Sequence, residues 1–91
     1  MKRTEADVLT FAEINLDCIA MNEAALERDW AEARFRCHLV SARSAEAGFA
    51  GVNAAANWVE QQLGPRGSEP IGGYAEAMLD LADEIDALPF R

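Results

Sequence analysis

The chain of 91 residues has few cysteines, few basic residues and no long hydrophobic run, and each shortage excludes a class of protein. No apolar stretch approaches the roughly 20 residues of a membrane span, so we expect neither a signal peptide nor a membrane anchor. Eight lysines and arginines against sixteen acids give a formal net charge of -8. This balance argues against nucleic acid as a partner, because phosphate binding needs a basic face.

The two cysteines and the single histidine also limit the chemistry. Cys18 and Cys37 form no Cys-x-x-Cys motif, and each falls on the apolar face of a predicted helix, as is typical of free thiols in a reducing cytoplasm. One histidine and two distant cysteines make no recognisable zinc set, and we expect no metal or other cofactor. The composition predicts a compact, acidic, helical, cytoplasmic protein.

Apolar residues recur at helical spacing in four segments, which capping residues, glycines and prolines separate. The pattern predicts helices at about 5–26, 29–47, 49–63 and 73–88, with a loop at 64–72. Asp29 is the expected N-cap of the second helix, with Glu32 as its capping-box partner, and Gly48 should end that helix. Four helices with short connections predict one all-α domain over residues 1–91, an antiparallel up-down four-helix bundle.

The first predicted helix is apolar on two sides. Its main apolar face carries Val8, Phe11, Ile14, Cys18, Met21 and Ala25. A second stripe carries Leu9, Ala12, Leu16 and Ala20. Asn15 and Asn22 lie between apolar residues of this helix, and we expect them to make hydrogen bonds between helices. Such a helix is either central in the bundle or part of an interface, so both a monomer and a weak homodimer remain open.

His38 is the best candidate for a reactive group. The inward stripe of the second helix is Trp30, Ala33, Cys37, Val40, Ser44 and Ala47. The imidazole then lies about 130° from the centre of that stripe, toward water. Phe35, Leu39 and Ala42 fall on the same outward side, where a surface helix usually carries charge. An exposed imidazole with apolar neighbours indicates a docking surface.

The charge around this helix is positive. The basic residues on or beside it are Arg28, Arg34, Arg36 and Arg43, whereas acids crowd the last helix at Glu76, Asp80, Asp83, Glu84 and Asp86. This field favours a partner with an acidic pocket, or a phosphoryl group on the ring, although intrahelical pairs such as Glu32 with Arg36 also explain it. As a metal ligand His38 would need further ligands nearby, and as a general base it would need a pocket. As a phosphoryl acceptor it needs only an exposed imidazole with an apolar rim.

Residues 28–60 resemble the histidine phosphotransfer (HPt) domain of bacterial phosphorelays. The positions that match in order and without a gap are Asp29, Trp30, Cys37, His38, Val40 and Gly48. The next helix fits at Val52, Ala55, Ala56, Val59 and Glu60, and residues 78–85 resemble the family's last helix. The resemblance implies an HPt-like bundle in which His38 carries a phosphoryl group between receiver-domain aspartates, as a phosphocarrier rather than a true enzyme.

The resemblance also implies partners and supporting residues. The partners would be a response-regulator receiver domain or a hybrid sensor histidine kinase, and the receiver would supply the magnesium ion. Residues expected to dock the partner are Phe35, Leu39, Ala42 and Arg43. Ser41 and Ala42 stand where the family usually has lysine and glycine, and the lysine is thought to assist the phosphoryl group. Arg34 could replace that charge, and Glu60 could hold the imidazole tautomer.

Two other interpretations remain open. A degenerate relative could keep the docking face, and regulate by occupying a receiver or kinase without exchanging phosphoryl groups. Alternatively, the chain could be a helical interaction protein in which the two-sided first helix mediates dimerisation and His38 is incidental.

Overall fold

The computed structural model describes residues 4–90, which form four α-helices and no strand. The helices are α1 (Glu5–Leu26), α2 (Trp30–Ala47), α3 (Ala50–Leu63) and α4 (Tyr74–Asp86). Successive helices pack side by side, and α1 touches α4 only lightly. Because the connections are short, neighbouring helices run antiparallel, which confirms the predicted four-helix bundle. Within these residues no helix is both long and apolar enough to cross a membrane.

The helix ends follow capping chemistry. Thr4 and Asp7 form a reciprocal capping box at the start of α1. At the start of α2, the carboxylate of Asp29 accepts from the backbone N–H of Glu32 at 3.2 Å. The second hydrogen bond of the expected capping box, from the Asp29 backbone N–H to the Glu32 carboxylate, is not formed. The Glu32 carboxylate pairs with Arg36 at 2.9 Å instead. Gly48, with φ of 77°, ends α2 in the left-handed conformation.

One apolar core runs through the bundle. Its largest fully buried side chains are Ile14, Met21, Leu63, Leu81, Ile85, Val40, Val52 and Val59. Cys18 and Cys37 are free and buried, as their helical positions predict. The Cys37 thiol lies 3.3 Å from the carbonyl oxygen of Ala56, and burial raises its pKa to about 12, so it stays protonated at neutral pH. The α2–α3 contact is therefore close at the level of His38.

The buried face of α1 includes fewer residues than its apolar pattern predicts. Val8 was expected inside, but it is 48% exposed and lies on the outward side with Leu9 and Leu16. Asn15 and Asn22 were expected to bond neighbouring helices, but neither side chain makes a hydrogen bond to any residue between 4 and 90. The outward half of α1 thus carries apolar and amide groups with no partner in the described bundle.

Asp17 joins α1 to α2. Its carboxylate is 4% exposed and accepts from Arg36 at 3.1 Å and, through its other oxygen, from Arg43. Arg36 also pairs with Glu32, and Arg43 lies 3.6 Å from the carboxylate of Glu13. This network satisfies a buried charge with two guanidinium groups, each partly open to solvent.

Candidate functional site

His38 lies in the middle of α2 with its side chain exposed, as its position outside the inward stripe predicts. Its ring makes no hydrogen bond or ion pair with any residue from 4 to 90. Both ring nitrogens are therefore open to an incoming group. The packing of α2 fixes the backbone of His38, because Cys37 and Val40 on either side are fully buried.

An apolar rim borders the imidazole on one side. Phe35 is 52% exposed and Ala42 is also exposed, one turn of helix before and after His38. Leu39 is only half-buried, since it turns toward the side of α2 away from α3. The guanidinium of Arg36 lies 5.8 Å from the centre of the Phe35 ring. Phe35 and Ala42 thus offer a small apolar contact surface directly beside the imidazole ring.

A polar cluster borders the imidazole on the α3 side. The hydroxyl of Ser41 donates to Oδ1 of Asn57 at 2.7 Å, and Nδ2 of Asn53 donates to the Ser41 carbonyl at 2.8 Å. Nδ2 of Asn57 donates to Oδ1 of Asn53 at 3.3 Å. Neither asparagine belongs to a motif that marks a site in the sequence, although their spacing of one helical turn on α3 was a usable signal. Ser41 therefore stands near His38 in a hydrogen-bonded network.

Glu60 lies one turn beyond Ala56 on α3 and is half-buried. Its charge, after the larger effect of burial, contributes to the raised pKa of Cys37, the residue before His38. The carboxylate makes no hydrogen bond to His38 in this structure. Glu60 thus lies in the neighbourhood of the imidazole without orienting it, and its tautomer-holding role stays a prediction.

Arg34 turns to the end of α3 instead of toward His38. Its Nε donates to the carbonyl of Gly64 at 3.1 Å, and its Nη2 donates to the carbonyl of Leu63 at 2.8 Å and to that of Ser68 at 2.5 Å. These oxygens belong to the last residue of α3 and the loop after it, where helix carbonyls lack intrahelical partners. A cation is also favourable at a helix C-terminus. Arg34 is therefore a cap of α3 and an anchor of the loop.

Replacing Arg34 by alanine should lower the free energy of unfolding by about 2 kcal/mol, because several charge-assisted hydrogen bonds are lost. Thermal and denaturant unfolding measure this loss. Arg66→Ala is the matched control, since Arg66 is exposed and has no ion pair or hydrogen bond within residues 4–90, and it should change stability by less than about 0.5 kcal/mol. If Arg34→Ala kept full stability but lost phosphoryl acceptance, Arg34 would act on the phosphoryl group as the sequence suggests.

The other arginines of the basic neighbourhood are also paired. Arg43 and Arg36 bind Asp17 on the α1 side, well around the helix from His38, and Arg28 lies 3.5 Å from the carboxylate of Glu69. The sequence predicted Arg43 beside the docking surface, but the structure directs it toward α1, because Asp17 is buried there and needs cationic partners. The positive field expected around His38 is thus largely neutralised.

The site brings together an unpartnered imidazole, a small apolar rim and a serine–asparagine cluster, on a helix held rigidly by its buried face. In the described residues 4–90, no group of three or more His, Cys, Asp or Glu side chains is placed to hold a metal ion. The arrangement suits a nucleophile that meets its substrate on the surface of another protein.

Comparison with protein-family models, with curated proteins and with solved structures finds no match to this chain.

Proposed function

We propose that this chain is a histidine phosphotransfer protein, which carries a phosphoryl group on His38 between the aspartates of receiver domains. The observation that supports the proposal most is the exposed imidazole without a partner at the centre of a rigid helix, beside the exposed ring of Phe35. The proposal agrees with the motif resemblance across residues 28–60. It places the protein in the cytoplasm, where receiver domains and the kinase domains of sensor proteins act.

The proposed step exchanges one bond to phosphorus for another. The unprotonated ring nitrogen of His38 attacks the phosphorus of a receiver's aspartyl phosphate, and the other ring nitrogen keeps its proton. The N–P bond forms while the P–O bond to the carboxyl oxygen breaks, and the electron pair leaves on the aspartate carboxylate. The reverse exchange delivers the phosphoryl group to a second receiver. The divalent cation that binds the phosphoryl oxygens in this scheme belongs to the receiver.

Within this chain, the cluster of Ser41, Asn53 and Asn57 supplies the nearest hydrogen-bond donors for the phosphoryl oxygens. The family's usual lysine is replaced by Ser41, whose hydroxyl is held by Asn57. The hydroxyl and the exposed amide of Asn57 are neutral donors, so they would stabilise the transferring phosphoryl group less than a lysine does. A slower transfer than in proteins with that lysine is the expected consequence.

Incubation with a receiver domain phosphorylated on its aspartate tests the proposal. The expected result is acid-labile phosphate on the wild-type chain and none on His38→Gln. Parallel binding measurements on the same proteins separate chemistry from docking. If several receivers bind the wild-type chain and none transfers a phosphoryl group, the proposal fails.

Phe35 is expected to contribute most of the apolar docking contact. Phe35→Ala should weaken receiver binding by roughly 10-fold, because exposed aromatic side chains commonly become central contacts of an interface. Trp58→Ala is the matched control: Trp58 is 49% exposed, close to the 52% of Phe35, but it lies beside Asp80 and Asp83 of α4. Titration calorimetry measures both affinities. An equal effect of the two variants would show that the receiver does not use the His38 face.

One observation favours a second candidate function. The lysine position holds Ser41, and all four arginines near α2 are occupied elsewhere, so no free cation borders His38 among the described residues. A chain of this kind could occupy a receiver or kinase and regulate it without exchanging phosphoryl groups. Binding that His38→Gln leaves intact, together with the absence of label on the wild-type chain, would identify this function.

A further inference from the structure

The outward side of α1 is the largest unexplained feature of the surface. Nine large hydrophobic side chains are conspicuously exposed in the described residues, and five of them lie here, namely Val8, Leu9, Leu16, Ile19 and Leu26. Their exposed fractions range from 48% for Val8 to 86% for Leu26. Their centre lies opposite Ile14 and Met21, which are fully buried. Neither α2 nor α4 covers this side of α1.

The exposed residues follow the spacing of a helix–helix contact. We define the α1 outer stripe as the residues at alternating intervals of three and four, Leu9, Ala12, Leu16, Ile19, Glu23 and Leu26. This is the heptad pattern with which one helix packs along another. Glu23 is the only charged member, although the chain carries a net charge of -8. Solvent alone does not account for such a stripe, because solvated helix faces normally carry charge.

The stripe is self-complementary when two copies of α1 lie antiparallel. A two-fold axis crossing the helix between Asp17 and Cys18 puts Leu9 of one copy against Leu26 of the other. The same axis sets Leu16 against Ile19. Ala12 then faces Glu23, and the small alanine leaves room for the carboxylate to reach water. Parallel packing would instead place Glu23 against Glu23, which is unfavourable.

The same register accounts for the two unpartnered asparagines. Asn15 and Asn22 lie beside the stripe and are half-exposed, and their side-chain amides make no hydrogen bond within residues 4–90. In the antiparallel register, Asn15 of one copy comes alongside Asn22 of the second copy, where amides can donate to and accept from each other. The interface would thus contain polar pairs that favour one register.

The exposed area suits a weak dimer. The four large apolar side chains of the stripe expose roughly 450 Å² in each copy, so two copies would cover at most about 900 Å² before Asn15, Asn22 and Glu23 are counted, which is in the range of weak interfaces. From spacing, charge and area together, we infer that the α1 outer stripe is the contact between two copies of this chain, packed antiparallel. The contact lies on a different helix from His38, so it does not depend on the proposed phosphotransfer function.

Sedimentation equilibrium over a range of concentrations tests the contact. The wild-type chain should be half dimeric at on the order of 10 μM, as suits an interface of modest size. Leu16→Glu should weaken association at least 100-fold while the circular dichroism spectrum stays helical, since Leu16 is 67% exposed and leaves no cavity. Ile71→Glu is the matched control, because Ile71 is 59% exposed but lies in the loop between α3 and α4. It should leave the dimer intact.

Cysteine cross-linking tests the register. Chains carrying Leu9→Cys and chains carrying Leu26→Cys should form a disulfide when mixed under air oxidation, and neither should form one alone. The wild-type chain measures any background from the two buried native thiols. A monomer up to about 500 μM would overturn the inference, as would a dimer that only Ile71→Glu disrupts. Cross-linking of each variant with itself would also overturn it, because that indicates parallel packing. Phosphoryl acceptance by Leu16→Glu should be unchanged, which keeps this test separate from that of the proposed function.

Discussion

Replacing His38 by glutamine should abolish phosphoryl acceptance, with a loss of more than roughly 100-fold, and leave the bundle as stable as before within about 0.5 kcal/mol. The transfer step needs a ring nitrogen as nucleophile, which glutamine lacks. The fold does not need the ring, since His38 is exposed and has no partner between residues 4 and 90. Transfer from a phosphorylated receiver and denaturant unfolding, measured on the same preparation, check the two halves of this result.

The neighbours of His38 provide graded controls. Asn57→Ala removes the partner of the Ser41 hydroxyl, and Glu60→Gln removes the nearby carboxylate while keeping its shape. Both variants should still become labelled, at rates reduced by no more than about 10-fold, because neither side chain forms the bond to phosphorus. Label that persists on His38→Gln would assign the chemistry to another residue.

The second large effect concerns the Asp17 network. Asp17→Asn should lower the free energy of unfolding by about 2–3 kcal/mol and the midpoint temperature by about 10 °C. The amide nitrogen would face one arginine donor in place of an accepting oxygen, and the remaining oxygen would no longer carry the buried charge that Arg36 and Arg43 share. Scanning calorimetry measures the change.

Glu13→Gln is the matched control for that variant. Glu13 contacts Arg43 at 3.6 Å and is 54% exposed, so its ion pair is screened by water and should contribute less than about 0.5 kcal/mol. If Asp17→Asn were no more destabilising than Glu13→Gln, the buried carboxylate would not hold α1 to α2 as the contacts indicate.

The bounds of the helices could be predicted because they depend on the local apolar period and on capping residues. The bounds of α1 coincide with its apolar period, and α2 begins after the Asp29 cap and ends at Gly48, where a left-handed residue is needed. The outward position of His38 follows from the same period, since Cys37 and Val40 on either side are fully buried. These features depend on residues one or two turns apart, which a sequence shows directly.

The partners of the arginines were not predictable, because they depend on which helices become neighbours. Arg34 reaches the end of α3, and Arg36 and Arg43 reach Asp17 on α1. The sequence shows their clustering near His38 but not the buried carboxylate and the open carbonyls that bind them. Charge clustering along one helix therefore predicts a local field only when no neighbouring helix supplies partners.

The two-sided first helix shows a further limit. Its sequence correctly indicates two apolar sides, but periodicity alone placed Val8 on the inner one, and the structure shows it 48% exposed. The missing information is the direction from which α2 and α4 approach. Only after those contacts are fixed does the outer stripe emerge as a separate surface.

Phosphorylation mapped by mass spectrometry at neutral or basic pH tests whether His38 accepts the phosphoryl group. The wild-type chain is incubated briefly with a phosphorylated receiver, digested, and compared with the same digest after acid treatment. The expected result is one added phosphoryl group, carried on His38 and lost in acid. A phosphoryl group on any other residue, or none from receivers that bind the chain, would contradict it.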